Sequence, residues 1–153
     1  MQFHPIGVIH SPYIDSGPRQ SNPDAEGDFH IIIDREYEQG LFHLEKYGHI
    51  YVIYWLHRVS KPLKWIITPH HDDANPVGLF ASRTPLRPNP IGLALVRLHS
   101  IEGNILHISG IDALDGTPVL DIKPYHPGLD SLPLQTDTPK GDSLDPGKRL
   151  FQS

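Results

Sequence analysis

Two arginines, Arg83 and Arg87, stand among three prolines in the segment of residues 79–93. Proline fixes φ, donates no N–H and pushes the preceding residue toward extended geometry, so this segment is predicted to be a rigid loop. A rigid loop loses little entropy on binding, and arginine is a preferred donor to carboxylates, phosphates and stacked bases. The residues alone leave two interpretations open: a loop that binds an anionic ligand, or a surface turn with solvated arginines.

A second segment that could bind a ligand, residues 112–118, contains the pair Asp115-Gly116. Asp-Gly is typical of a turn in which one residue has positive φ. Backbone amides and acidic side chains in such a turn suit the polar edge of a ligand. Taken by itself, however, the pattern favours an ordinary turn aspartate.

The run His70-His71-Asp72-Asp73 contains residue types that bind metals. Neighbouring residues of an extended chain point to opposite faces, and no helical spacing brings the two histidines together, so we interpret the run as a polar loop and predict no metal site. The chain also lacks the glycine-rich motifs of dinucleotide-binding and P-loop proteins and the Gly-x-Ser-x-Gly motif of hydrolases. These three classes therefore find no support.

The amino-acid composition of the chain further limits the class of protein it can be. The chain has 153 residues, no cysteine and a formal net charge of −5, which predicts one domain without disulfides or thiolate chemistry. Residues 46–101 nevertheless carry seven basic and two acidic side chains, a bias that favours contact with a polyanion. Because no apolar stretch approaches ~18 residues and no basic leader precedes one, we expect a soluble cytoplasmic protein with no membrane partner.

Most of the chain is predicted to form short strands that position these loops. The strand candidates are residues 5–12, 29–33, 50–56, 63–69, 91–101, 105–111 and 119–125. The run at 50–56 is almost continuously apolar, which predicts burial on both faces. Residues 34–47 are the one helix candidate, with Asp34 as N-cap. We therefore expect a mainly β fold, a small closed antiparallel β-barrel with one helix, followed by a proline-rich tail at 131–153 that is extended or poorly ordered.

Two long motifs resemble one known family. They are Arg-Thr-Pro-x-Arg-Pro-Asn-Pro-Ile-Gly at 83–92 and Asp-Gly-Thr-Pro-x-Leu-Asp-Ile-Lys-Pro-Tyr at 115–125. Together with residues 5–12, 18–20 and 54–58, in this order, they resemble the TrmO-like family of S-adenosylmethionine-dependent tRNA methyltransferases, also called TsaA-like or VirR-like. The resemblance implies a β-barrel methyltransferase domain over residues 1–130. It further implies a homodimer with cofactor sites near the subunit interface, and methylation of N6 of threonylcarbamoyladenosine at tRNA position 37.

The same resemblance implies which residues bind the cofactor. These are Pro18, Arg19, Gln20, His57, Arg58, Arg83, Leu93, Leu114, Asp115 and Gly116. The general base stays open among His57, Asp115 and Tyr125, and Arg87 is expected to be free for RNA or for the dimer mate. Two alternatives remain: a methyltransferase of another acceptor, and a dimeric ligand-binding regulator without catalysis.

Overall fold

The structure is a computed structural model that describes residues 1–68 and 75–132. Its eight strands are β1 (Gly7–His10), β2 (His30–Ile33), β3 (His49–Trp55), β4 (Ile66–Ile67), β5 (Val77–Gly78), β6 (Ile91–Glu102), β7 (Ile105–Ile108) and β8 (Thr117–Pro124). Six of them pair in the order β1-β2-β7-β6-β3-β8, and β8 pairs with β1, so that the sheet closes into a barrel. All of these pairings are antiparallel. The prediction of a mainly β fold is confirmed, and the strand order closes as a small barrel requires.

The barrel interior is the hydrophobic core. In β3 the side chains of Ile50, Val52 and Tyr54 are buried, and those between them are only partly buried. The prediction that this strand is buried on both faces is therefore wrong. A single closed sheet has one interior, so alternate residues must face outward. One outward residue, Tyr51, packs instead against the ring of Tyr125, with centroids 5.8 Å apart.

The predicted helix at 34–47 is not an α-helix. The chain forms two 3₁₀-helices there, Arg35–Leu41 and Leu44–Lys46, separated by His43 in a left-handed conformation (φ 66°). Asp34 makes no capping bond with its side chain, and Gly40 further weakens α-helical order. The other helical elements are the 3₁₀-helix Leu79–Ala81 and a four-residue α-helix, α1 (Pro127–Asp130). No helix among the described residues is long and apolar enough to cross a membrane.

The strand predicted at 63–69 is shorter than expected and lies outside the barrel. Only β4 forms, and it pairs with β5 in a separate two-stranded ribbon. The His70-His71-Asp72-Asp73 run lies outside the described residues, as do positions 133–153 of the predicted tail. The other strand predictions are confirmed, each to within a few residues.

The strand directions divide the loops between the two ends of the barrel. The strand ends that meet at one end are the C-terminal ends of β1, β3 and β7 and the N-terminal ends of β2, β6 and β8. We call this end the site rim, and its connections are residues 11–29, 56–90 and 109–116. The opposite rim carries the 3₁₀-helices of 35–46, the hairpin turn at 103–104 and Tyr125. Every predicted cofactor-binding residue except Leu93 lies in a site-rim connection, and Leu93 lies two residues into β6.

Candidate functional site

The turn at Leu114, Asp115 and Gly116 is held by backbone bonds against the end of β1. The Gly116 amide donates to the Ile9 carbonyl (2.9 Å), and the Asp115 amide donates to the Tyr13 carbonyl (2.7 Å). Gly116 has φ 81°, and a Cβ there would meet nothing within 4 Å. The predicted positive-φ turn is confirmed, and the open space beside Gly116 lets a ligand approach the backbone.

The carboxylate of Asp115 is oriented by two contacts on one oxygen. Its Oδ1 accepts the Ser11 amide N–H at 3.2 Å and lies 3.1 Å from Nδ1 of His10. The side chain remains 38% exposed. A negative charge thus sits at the site rim in a fixed place, still open to solvent.

The loop that contains Pro18, Arg19 and Gln20 is anchored just beyond these residues, at Ser21. The Ser21 hydroxyl donates to Oδ1 of Asp112 (2.9 Å) and accepts the Asp112 amide N–H (3.1 Å). Pro18, Arg19 and Gln20 themselves are exposed. Over the residues that the structure describes, the Arg19 guanidinium makes no hydrogen bond or ion pair. This loop and the Asp115 turn are therefore joined through Asp112.

A buried tyrosine that sequence reasoning missed completes this junction. The Tyr54 hydroxyl donates to the same Oδ1 of Asp112, at 2.5 Å. Burial, together with the nearby Asp112 charge, raises the pKa of Tyr54 above its ordinary value, so the phenol keeps its proton. The ring packs on Gly92, where a Cβ would lie 2.3 Å from the ring atom Cε2. The one sequence signal was Gly92 itself, a glycine inside an apolar strand, which often marks a close approach.

His57 and Arg58 follow the end of β3, as the sequence predicts. Arg58 donates to the Ile14 carbonyl and makes an ion pair with Asp15 at 3.3 Å, in the loop that leads to Pro18. The ring of His57 contacts that of Trp55 edge-on, with centroids 6.4 Å apart. The structure therefore brings Arg58 beside the 13–22 loop.

Residues 79–93, which we call the proline loop, contain two arginines with different roles. Nη1 of Arg87 donates to the Ser82 and Thr84 carbonyls (2.9 and 3.4 Å), and the guanidinium lies 5.8 Å from the Phe80 ring centroid. The expectation that Arg87 is free for another molecule is therefore wrong: it braces its own loop, because loop carbonyls without strand partners accept its donors. Arg83 is exposed and makes no ion pair or hydrogen bond within the described ranges.

Leu93 lies on the outer face of the barrel. It pairs with Ile53 of β3 and is 60% exposed. No hydrogen bond or ion pair in the described parts of the chain joins Leu93 or Arg83 to the Asp115 turn, and β3 lies between β6 and β8. Within one chain the cofactor candidates thus form two groups: one around Asp112, and one on the outer face and the proline loop.

Tyr125 is removed from the candidates for the base. It follows the far end of β8, roughly 30 Å along the chain from Gly116 at ~3.3 Å per residue, at the opposite rim. A cavity of about 450 Å³ lies at that rim between the 3₁₀-helix Arg35–Leu41 and the end of β8. Its charged lining residues are Glu36 and Asp121, both acidic, so it offers no cation for an anionic ligand.

The connection between β3 and β6 concentrates positive charge at the site rim. Its described residues include no acidic side chain and five basic ones: Arg58, Lys61, Lys64, Arg83 and Arg87. All but Arg87 are exposed. The same connection exposes Trp65 and Phe80, at 63% and 74%. Exposed cations beside exposed aromatic rings are what a single-stranded nucleic acid requires for phosphate contacts and base stacking.

The chain is similar to known proteins over most of its length. Residues 8–131 match the model of the tRNA-methyltransferase O N-terminal domain. A probable S-adenosyl-L-methionine-binding protein of Methanothermobacter thermautotrophicus is 39% identical over 137 residues, which are 86% of this chain and 95% of that protein. The tRNA (adenine(37)-N6)-methyltransferase of Escherichia coli is 37% identical over 143 residues, 86% of this chain and 60% of the enzyme.

Other matches are to parts of longer chains. A probable S-adenosyl-L-methionine-binding protein of Archaeoglobus fulgidus is 43% identical over 134 residues, 86% of this chain but 36% of that protein. Among solved structures, that of TrmO from Pseudomonas aeruginosa superposes with a TM-score of 0.72 at 33% identity, covering 92% of this chain and 62% of the other. This chain thus spans between about a third and nearly all of the length of these relatives.

Proposed function

The chain belongs to the tRNA-methyltransferase O N-terminal domain family, and we propose that it is an S-adenosylmethionine-dependent methyltransferase that acts on N6 of threonylcarbamoyladenosine at tRNA position 37. Residues 1–130 form its methyltransferase domain in this proposal, and 131–153 are a tail. The observation that carries the proposal is that the family's motif residues at 18–20, 57–58, 83 and 114–116 all lie in connections at one rim of the barrel. The name of the Escherichia coli relative, tRNA (adenine(37)-N6)-methyltransferase, supports adenosine 37 as the target.

The donor set at the site rim fits the cofactor. S-adenosylmethionine carries a carboxylate, an adenine and a sulfonium, which require respectively a cation, backbone donors and acceptors, and a tolerant acid or aromatic face. Arg19 and Arg83 are exposed cations at this rim, and Asp115 offers an oriented carboxylate. The open space beside Gly116 would let an adenine edge approach the turn of Leu114, Asp115 and Gly116. Pro18, Gln20, His57, Arg58 and Leu93 complete the proposed cofactor-binding set.

Alignment of donor and acceptor is the main task of these residues. When bound, the cofactor would supply an electrophilic methyl group on a sulfonium, so that an in-line nucleophile forms a bond to the methyl carbon as the carbon–sulfur bond breaks and the thioether leaves. The rigid proline loop and the anchored Asp115 turn hold the cofactor with little loss of entropy. The acceptor nitrogen must also lose its proton, and His57 and Asp115 are the remaining candidates to accept it.

The connection between β3 and β6, residues 56–90, supports tRNA as the partner; we call it the basic connection. Lys61, Lys64 and Arg83 are exposed there, and Trp65 offers a ring for stacking. Phosphate contacts of this kind weaken steeply with added salt. Because the proposed substrate is tRNA, the proposal also places the protein in the cytoplasm.

A homodimer is part of the proposal. Trp55, Ile91 and Leu93 form an apolar area on the outer face of β3 and β6, with exposures of 46%, 40% and 60%. Exposed apolar patches mark interaction surfaces. A second copy on this face would bring Leu93 and the proline loop of one subunit toward the site rim of the other, which unites the two groups of cofactor candidates.

A second function is favoured by the relatives of matching length. Two of them, each covered over more than nine tenths, are named S-adenosyl-L-methionine-binding proteins, a name that does not include tRNA. The alternative is therefore a protein that binds the same cofactor and either methylates another acceptor or acts as a dimeric regulator without catalysis.

Mass spectrometry of tRNA nucleosides decides between these functions. The purified protein is incubated with S-adenosylmethionine and tRNA that carries threonylcarbamoyladenosine, and cofactor binding is measured separately by calorimetry. A gain of one methyl on the modified adenosine supports the proposal. Binding without any transfer to tRNA supports the alternative, and absence of binding rejects both.

A further inference from the structure

Asp112 is the point at which the site-rim segments meet, although no motif assigns it a role. Its carboxylate oxygen Oδ1 accepts hydrogen bonds from Ser21 (2.9 Å) and from Tyr54 (2.5 Å). We infer that Asp112 is a positioning residue that, through Ser21 and Tyr54, fixes the 13–22 loop and the 114–116 turn so that both face one ligand. The inference rests on the proposed function where it names that ligand as S-adenosylmethionine.

The bonds to Ser21 set the distance between two cofactor-binding segments. Ser21 follows Gln20 directly, and Asp112 precedes Leu114 by two residues. The serine hydroxyl both donates to the carboxylate and accepts the Asp112 amide N–H (3.1 Å), so the two residues are joined by a reciprocal pair. A paired bond of this kind restricts rotation as well as separation. Loop 13–22 therefore cannot move away from the turn while both bonds persist.

The bond to Tyr54 fixes Asp112 to the barrel itself. Tyr54 is 2% exposed, and its ring packs on Gly92 in the neighbouring strand, so the position of its hydroxyl is set by the core. A hydroxyl that donates to a carboxylate makes a strong, charge-assisted bond. Burial raises the pKa of the Tyr54 phenol, so the donor is present at neutral pH. The core thus determines where the carboxylate lies, and the carboxylate determines where the loop lies.

This role differs from a contribution to stability alone. The loop of 13–22 is tied to the barrel at its ends, by the Tyr13 ring on the core and by the Asn22 amide bond to Gly110, while residues 14–20 between them are exposed, so release of that middle part costs the fold little. The same release changes the place of Pro18, Arg19 and Gln20 relative to Asp115. Loss of a link should therefore change cofactor affinity and loop protection more than the melting temperature.

Trypsin provides a readout that does not depend on the cofactor, since Arg19 is an exposed cleavage site in the anchored loop. We compare the wild type with Ser21→Ala, Tyr54→Phe, Asp112→Asn and Asp112→Ala, well below the melting temperature of each. As a matched control, Asp121→Asn removes a carboxylate that pairs with exposed Lys123 (2.8 Å), away from the site rim. Ser21→Ala deletes one hydroxyl only, so cleavage and cofactor affinity can still be measured in this variant if an Asp112 variant fails to fold.

We expect each single variant to raise both the rate of cleavage after Arg19 and the Kd for S-adenosylmethionine by about two- to tenfold. Asp112→Asn keeps an acceptor oxygen and should lie between the wild type and Asp112→Ala. The double variant Ser21→Ala/Tyr54→Phe should change less than the product of the single effects, because both donors end on one oxygen. Asp121→Asn should match the wild type in both measurements.

Two results overturn the inference separately. Cleavage and Kd equal to the wild type in Ser21→Ala and Asp112→Ala show that the link does not hold the loop. Faster cleavage with unchanged Kd shows that the loop is held but does not position the cofactor. If the wild type binds no cofactor, the proposed function is rejected, and the cleavage rates still report whether Asp112 anchors the loop.

Discussion

Arg87 is bonded to Ser82 within its own loop, with 2.9 Å between Nη1 and the carbonyl oxygen. The same guanidinium reaches the Thr84 carbonyl at 3.4 Å and lies over the Phe80 ring. Arg83, four residues earlier, is left exposed. Arg87 therefore stabilises the conformation of the loop, whereas Arg83 is exposed to solvent. The sequence does not reveal this difference, because the two side chains are identical.

Removal of these two arginines should give opposite results. Arg83→Ala should weaken binding of S-adenosylmethionine by about 1–3 kcal/mol through loss of a charge-assisted contact, with the melting temperature unchanged. Arg87→Ala should lower the free energy of unfolding by about 1 kcal/mol, because loop carbonyls lose their donors. Calorimetric titration and thermal unfolding of both variants check this. Equal cofactor affinity in Arg83→Ala and the wild type would remove Arg83 from the site.

Local patterns were enough to predict the strands but not the site. Alternating and β-branched residues locate β1, β2, β3, β6, β7 and β8, since each signal lies within one segment. The helix prediction failed at His43, where the chain takes a left-handed conformation that apolar spacing does not reveal. The bond from Tyr54 to Asp112 joins residues 58 positions apart, and only the register of the barrel brings them together.

The resemblance of the two long motifs to a known family predicted candidate site residues that local patterns did not. It did not distinguish the roles of different residues within one motif. It selected Asp115 and Gly116, which the residues alone favoured as an ordinary turn. It also included Tyr125, which the strand direction places at the opposite rim. A motif that runs along a whole strand, as 115–125 does, necessarily includes residues from both ends of the barrel.

Gly92 should tolerate no larger residue. A Cβ at Gly92 would lie 2.3 Å from Cε2 of the Tyr54 ring, so Gly92→Ala should lower the free energy of unfolding by about 1–3 kcal/mol through overpacking. Gly78→Ala is the matched control, since a Cβ there meets nothing within 4 Å. Urea denaturation measures both. A Gly92→Ala variant as stable as Gly78→Ala would contradict the close packing.

Alkaline pH should remove the contribution of Tyr54 to stability. Burial and the Asp112 charge raise its pKa above the ordinary 10.0. The folded protein therefore keeps a proton that the unfolded chain loses, so the stabilisation is complete below about pH 10 and falls as the pH rises further. The difference in unfolding free energy between the wild type and Tyr54→Phe should shrink by up to about 1.4 kcal/mol per pH unit there. A difference that stays constant to about pH 11 would contradict the shift.

Lys61 and Lys64 should contribute to tRNA binding and not to cofactor binding. Both are exposed in the basic connection of the site rim, so Lys61→Ala and Lys64→Ala should each reduce the salt dependence of tRNA binding by about one phosphate contact. Lys46→Ala, at the opposite rim, is the control. Filter binding over a series of salt concentrations measures the slopes. Slopes equal to that of Lys46→Ala would place the tRNA elsewhere.

A charge on the outer face of β6 should separate the proposed dimer. Leu93 is 60% exposed and lies beside Trp55 and Ile91, which are also exposed, so a second copy that covers this face would desolvate a glutamate at position 93 without a partner. Leu93→Glu should raise the dimer Kd by at least about tenfold, and it should weaken binding of S-adenosylmethionine if the site lies near the subunit interface. Leu129→Glu, at an 81% exposed position of α1, should do neither. Analytical ultracentrifugation with cofactor titration measures both effects. An unchanged dimer in Leu93→Glu would show that the subunits meet on another surface, and the proposal that Leu93 and the Asp115 turn bind one cofactor would then lose its structural basis.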